Sequence, residues 1–167
     1  MTKKFQPLST NPTTESKESI AHIGFAVKLM SKSPSHARLS AAHISGSFDA
    51  AFRHRQLRYF FNGEGEPVGF VAWAKITIDV QRKMMKTASW NLHKSEWNEG
   101  EILWIVDFLA LFGNLNSILE VLRDEVFTNF SSVRYIRFKN NKAIFKEITR
   151  EDFSRFMRSG AKSFGRI

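Results

Sequence analysis

A lone carboxylate, Asp107, stands inside the apolar run Ile102-Leu103-Trp104-Ile105-Val106-Asp107-Phe108-Leu109-Ala110. The run has the length and bulk of a strand buried on both faces. An ionised carboxylate in such a place is costly unless it is paired or hydrogen-bonded. The fold must therefore bring a polar partner to it, and a His or Arg from elsewhere in the chain is the natural one. A buried carboxylate set against a His is a common way to orient a general base. It is equally a structural cap on a nearby loop, and the run alone leaves both readings open.

The chain can build the core this requires. Its 167 residues are 43% hydrophobic, with sixteen Phe and four Trp, which suits one globular domain. There is no Cys, so disulfides and thiolate metal sites are excluded and a reducing compartment is expected. No apolar run is long enough to span a bilayer, and the start Met1-Thr2-Lys3-Lys4-Phe5-Gln6-Pro7 lacks the apolar segment of a secretory signal. The net charge of +9 is unevenly placed: +6 over residues 1–60, −4 over 61–130 and +7 over 131–167. Two basic flanks around an acidic middle fit an anionic partner, whether nucleic acid, membrane surface or acidic protein.

Residues 1–14 are polar, carry Pro7 and Pro12, and read as a flexible arm; 15–167 read as a single domain. Ile20, Ile23, Val27 and Met30 predict a helix over Glu15–Met30, ended by Ser31-Lys32-Ser33-Pro34. A second helix is predicted over Ser40–Gln56. The period then changes to that of strands at Leu57–Asn62 and Val68–Ala74, joined by the hairpin loop Gly63-Glu64-Gly65-Glu66-Pro67. A short helix over Val80–Lys86 and an irregular stretch holding Trp90, His93 and Trp97 lead to the Asp107 strand. A helix over Leu115–Phe127 follows. Strands at Val133–Phe138 and Ala143–Ile148 flank the turn Lys139-Asn140-Asn141-Lys142, and Asp152–Arg158 adds a last helix. The result is an α/β (α+β) chain with a central mixed sheet flanked by helices. Its element order resembles a GNAT-like acyltransferase fold.

Five His are available for chemistry. His22, His43 and His54 fall on the first two helices, as packing or half-exposed residues, and no His has the spacing of a zinc helix. His36 differs, because it lies in the broken segment after Pro34, where a side chain can point into a cleft. Gly113 follows the Asp107 strand and opens a helix, a place where backbone N–H groups can meet phosphate. It is also an ordinary strand-to-helix turn. The alternation of Arg134, Tyr135, Arg137, Phe138 and Lys139 fits a nucleic-acid platform. It fits better a half-buried strand with a charged outer face.

Four pieces, in order, carry a further signal. They are Ser33-Pro34-Ser35-His36, Pro67-Val68-Gly69-Phe70-Val71-Ala72-Trp73-Ala74, Glu96-Trp97-Asn98-Glu99-Gly100, and Trp104-Ile105-Val106-Asp107-Phe108-Leu109-Ala110-Leu111-Phe112-Gly113. Together they resemble the toxin-activating lysine acyltransferases, the family that acylates RTX haemolysins and adenylate cyclase toxins, over roughly residues 20–138. Three positions depart from that family's pattern. Ser35 replaces an apolar residue, Ala37-Arg38-Leu39 replaces a basic residue followed by an aromatic, and Leu111 replaces Pro.

The resemblance implies a fatty acyltransferase that carries a chain from acyl carrier protein to lysine ε-amines of an RTX-type protoxin in the cytoplasm, with no bound cofactor or metal. It implies His36 as general base or acyl acceptor and Asp107 as its partner. Ser33, Gly113 and Asn114 are assigned to the acyl donor, and Phe70, Trp73, Trp104 and Phe108 to an acyl-chain channel. A homodimer is a further implied partner state, and no nucleic acid is expected. Two other readings stand beside it. One is a GNAT-like N-acyltransferase using acyl-CoA on another amine, against which the absent pyrophosphate loop counts. The other is a non-catalytic basic domain that binds nucleic acid, favoured by charge alone.

Overall fold

Apolar residues at helical spacing fold the N-terminal part into α1 (Thr14–Met30) and α2 (Ala41–Arg53), in a computed structural model that describes residues 14–87, 91–111, 113–139 and 142–152. Ala26, Leu29 and Met30 from α1 meet Ile44 and Phe48 from α2 in one cluster. α2 stops where Arg55 turns left-handed at φ 55°; Arg55 N–H then bonds the Phe52 carbonyl and Gln56 N–H the Ala51 carbonyl. This is a Schellman ending built without glycine.

Five strands follow in spatial order β1-β2-β3-β4-β5. They are β1 (Leu57–Phe61), β2 (Pro67–Ile76), β3 (Ile102–Ala110), β4 (Ser132–Lys139) and β5 (Lys142–Thr149). Neighbours are antiparallel except β3 and β4, which run parallel and pair, among the described residues, at Trp104 with Arg134. The sheet is therefore mixed, as the sequence predicts.

α1 and α2 cover one face, over Tyr59, Phe70 and Leu109. Farther along that face Ala50, Ala51, Ala72, Ala74 and Trp104 pack with Val80 and Met84 of α3 (Ile78–Thr87). The opposite face carries α4 (Leu115–Val121), whose Ile118 and Leu119 meet Val71 and Leu103. The helix predicted over Leu115–Phe127 is continuous but changes character. Leu122–Val126 is a π-helical turn, closed by the Phe127 N–H on the Leu122 carbonyl, which seats Phe127 against the Trp73 ring at 5.4 Å.

The irregular connection after α3 contains a 3-10 turn, Lys94–Trp97. It begins with a capping box in which the Glu96 carboxylate accepts from the His93 N–H. Lys83 also donates to Glu96, and these two bonds hold its carboxyl below the usual glutamate range. Trp97 is buried in the core behind it. Thr14, read as the end of the N-terminal arm, already belongs to α1. Residues 1–13 of the arm, Trp90 and residues 140 and 141 of the last turn lie outside the described residues. So does the helix expected over Asp152–Arg158, except for Asp152, which is helical. Among the described residues no helix is long and apolar enough to cross a membrane.

Gly100 has a steric reason to be glycine. A Cβ there would overlap the Ile76 carbonyl and the Thr77 amide at the end of β2. Gly100 N–H also bonds the Lys75 carbonyl at 3.0 Å, so the two backbones cannot part without losing that bond. Gly100→Ala is expected to lower the urea midpoint by the equivalent of about 1–3 kcal/mol with an unchanged slope. A midpoint equal to that of the unaltered protein would contradict this close approach.

Candidate active site

The pairing of β2 with β3 contains one irregularity. Ala72 pairs with Asp107 and Trp73 with Ile105, so Val106 has no partner and forms a β-bulge. In a regular strand alternate residues face opposite sides. Here Val106 packs in the same cluster as Trp104, while Ile105 and Phe108 pack on the α4 side. Asp107 therefore follows Val106 onto the face covered by α1 and α2, in line with Leu109.

On that face it meets His36. The His36 Nε2 lies 3.0 Å from Asp107 Oδ1, across 71 positions of sequence. The same Oδ1 accepts the Phe108 N–H at 2.8 Å, which fixes the carboxylate. The other ring nitrogen, Nδ1, lies 2.8 Å from Ser33 Oγ and 3.1 Å from Ser35 Oγ, and the two hydroxyls are 3.0 Å apart. The His36 side chain is 12% exposed and that of Asp107 22%. Asp107 is thus more open than a strand buried on both faces would leave it; among the described residues β3 pairs with β4 at Trp104.

Packing places the loop and hydrogen bonds orient the ring. Leu29 and Met30 are buried just before the loop, and Leu39 packs against the same cluster just after it. Each buried side chain of this size contributes about 1.5–3 kcal/mol. A hydroxyl–imidazole hydrogen bond contributes nearer 1 kcal/mol. The backbone between them is a tight turn, in which His36 N–H and Ala37 N–H both bond the Ser33 carbonyl. The Phe70 edge, 6.2 Å from the ring at 81°, is the apolar wall beside His36.

A carboxylate can only accept, so Nε2 carries the hydrogen and Nδ1 presents its lone pair to the serine hydroxyls. The arrangement has a base, an orienting carboxylate and hydroxyls in reach of the base.

Of the residues singled out from the sequence, the structure gathers Ser33, His36 and Asp107. Gly113 and Asn114 sit in the turn after β3; Gly113 has φ 84°, and Asn114 N–H bonds the Leu111 carbonyl. Leu111 N–H bonds the Val68 carbonyl at 2.8 Å, a bond that a Pro there could not make. The four aromatics assigned to a channel do not share one face. Phe70 and Trp104 lie under the α1–α2–α3 side, whereas Trp73 and Phe108 pack on the α4 side. Only Phe70 contacts the His36 ring.

His22 packs between the Phe52 and Tyr59 rings, and burial lowers its pKa. His54 is exposed, His93 caps the 3-10 turn, and the His43 side chain lies outside the described residues. Arg134 donates to Gln81 and pairs with Glu147, so this member of the basic strand is committed inside the fold. Two features escaped the sequence reading: the bulge at Val106 and the second hydroxyl, Ser35, on His36.

An acyltransferase-like α+β fold thus pairs a His from the loop after α1 with an Asp of β3. The model of the RTX toxin acyltransferase family matches residues 15–150. The chain belongs to that family. It is 29% identical over 110 residues to the RTX-III toxin-activating lysine-acyltransferase of Actinobacillus pleuropneumoniae, a match covering 66% of this chain and 61% of that protein. It is 27% identical over 105 residues to the lysine-acyltransferase RtxC of Vibrio cholerae, covering 63% and 68%. It is 28% identical over 108 residues to an uncharacterised Synechocystis protein, covering 64% and 73%. The chain spans a little under two thirds of the first two relatives it matches, 61% and 62% of their lengths.

Nitrogen NMR of His36 is expected to show a protonated Nε2 and a bare Nδ1 at a pH where the ring is neutral. Asp107→Ala should erase that preference. A protonated Nδ1 in the unaltered protein would reverse the assignment of the two nitrogens.

Proposed function

We propose that this protein is a protein-lysine fatty acyltransferase. It moves an acyl chain from acyl carrier protein to internal lysine ε-amines of an RTX-type protoxin in the cytoplasm. The observation that carries the reading is the hydrogen-bonded series Ser33–His36–Asp107, in a chain whose family includes toxin-activating lysine acyltransferases.

A lysine ammonium is not a nucleophile until it loses a proton. His36 Nδ1 is the acceptor for that proton, and Asp107 holds the ring in the tautomer that leaves Nδ1 free to take it. The imidazolium that forms is stabilised by the same carboxylate. The amine then attacks the thioester carbonyl, and a backbone N–H receives the developing oxyanion. Ser33, with Gly113 and Asn114 in the turn after β3, is assigned to the donor's phosphopantetheine arm. A second copy of the chain is the remaining proposed partner, read by sedimentation.

The carrier is typically acidic, and the turn that holds His36 offers two exposed cations, Lys32 and Arg38. Lys28 nearby is bonded to Glu66. With Arg134 committed to Glu147 and Gln81, Lys32 and Arg38 are the better docking charges.

His36→Ala is expected to cut acyl-lysine formation, read by mass spectrometry, on the order of 10²–10⁴-fold. Asp107→Asn keeps the shape and loses the charge, so its loss should be smaller. Full activity in His36→Ala would sink the assignment.

Lys32→Glu with Arg38→Glu should weaken donor affinity and flatten its decline with salt, because exposed charges are screened over about 10 Å at 0.1 M. Equal turnover with acyl-CoA and carrier, independent of salt, would favour the acyl-CoA reading instead.

A further inference from the structure

The proposed transfer uses His36 and Asp107, and it leaves one exposed hydroxyl of the cluster without a role. Ser35 Oγ is 3.1 Å from His36 Nδ1 and 3.0 Å from Ser33 Oγ. It can pass its proton to Nδ1 directly or through Ser33, which sits at 2.8 Å. Beyond the ring, Asp107 completes a nucleophile, base and orienting carboxylate in hydrogen-bond sequence. Of the two serines, Ser33 is half-buried and its carbonyl accepts the His36 and Ala37 amides. Ser35 is exposed, so a carbonyl arriving from solvent reaches it first. This is also one of the positions where the chain departs from the pattern it otherwise resembles.

We propose that Ser35 is a nucleophile that takes the acyl group as a seryl ester, giving the protein a thioester hydrolase activity when no acceptor lysine is present. The inference rests on the acyl-transfer reading and adds a covalent stage to it. Ser35 Oγ bonds to the thioester carbonyl carbon as its proton passes to His36 Nδ1. The C–S bond breaks, and the leaving sulfur takes that proton from the imidazolium and departs as a thiol. Water then attacks the ester carbonyl and gives a proton to Nδ1. The bond from the acyl carbon to Ser35 breaks, the serine oxygen recovers the proton, and the fatty acid leaves. An acceptor amine in place of water completes transfer by the same route.

The test uses the full chain with S-octanoyl-pantetheine and no acceptor protein. Thiol release should exceed the buffer rate on the order of 10²-fold, the scale of one positioned base. Acid-quenched protein should carry an octanoyl ester on the peptide containing Ser35, located by fragmentation. Ser35→Ala should lose both the ester and the thiol release, and His36→Ala should lose them as well. An ester on Ser33, an adduct on His36, or thiol release at the buffer rate with no adduct would overturn the proposal. Should Ser35→Ala fail to fold, the mapped adduct on the unaltered protein still decides. Lysine acylation without any Ser35 ester would remove this inference and keep the transferase. A Ser35 ester with hydrolysis but no lysine acylation would keep the inference and remove the transferase.

Discussion

β3 has one residue more than β2 can pair, and the position of Asp107 follows from it. With Val106 bulged, two consecutive side chains face α1 and α2, and the second is the carboxylate. A regular register would turn Asp107 toward α4, into the cluster of Leu103, Ile118 and Leu119. Among the described residues no His belongs to that cluster, and an unpaired carboxylate there would cost on the order of several kcal/mol or lose its charge. The bulge therefore sets both the stability of the strand and the contact with His36.

The sequence displays one half of this arrangement openly. A carboxylate in an apolar run demands a partner, and Pro34 breaks the chain where a His can reach inward. The helices are legible from apolar spacing, their faces less so. Ile44 and Phe48, four apart, are both buried in α2, whereas of the stripe Ile20, Ile23, Val27 and Met30 read for α1, Met30 is buried and Ile20 and Val27 are exposed. The bulge is hidden, because register depends on the neighbouring strand rather than on β3 itself. Its consequence for the aromatics is hidden with it. Trp104 and Phe108 would share a face at a period of two, and Val106 separates them. Phe70 and Trp73 are different: three residues apart on one strand, they belong to opposite faces on sequence grounds alone. That signal was present, and it excludes a channel drawing on both from one side.

Charge was legible as a total and not as a surface. The basic C-terminal part counts toward a net +9, yet Arg134 spends its guanidinium on Glu147 of β5 and Gln81 of α3. A pattern of alternating charge shows which face of a strand is outward; it does not show which cations an acidic neighbour has already neutralised. Exposed cations in the His36 turn are fewer, but Lys32 and Arg38 stand on the same turn as His36, and exposed charges act over only about 10 Å at 0.1 M salt.

The orientation of His36 carries the last step. In the familiar triad the carboxylate holds Nδ1 and the reaction occurs at Nε2. Here Asp107 holds Nε2, so the nitrogen left facing the serine hydroxyls is Nδ1, the one nearer its own backbone. A short reach from the main chain makes Nδ1 dependent on the loop that carries it. Pro34 and the paired amides on the Ser33 carbonyl fix that loop, and the buried Leu29 and Met30 and the partly buried Leu39 anchor its ends. Under the proposed transfer an incoming group approaches Nδ1 over Ser33 and Ser35, from the loop side rather than through the sheet. Of the two hydroxyls on that side, Ser35 is the more exposed.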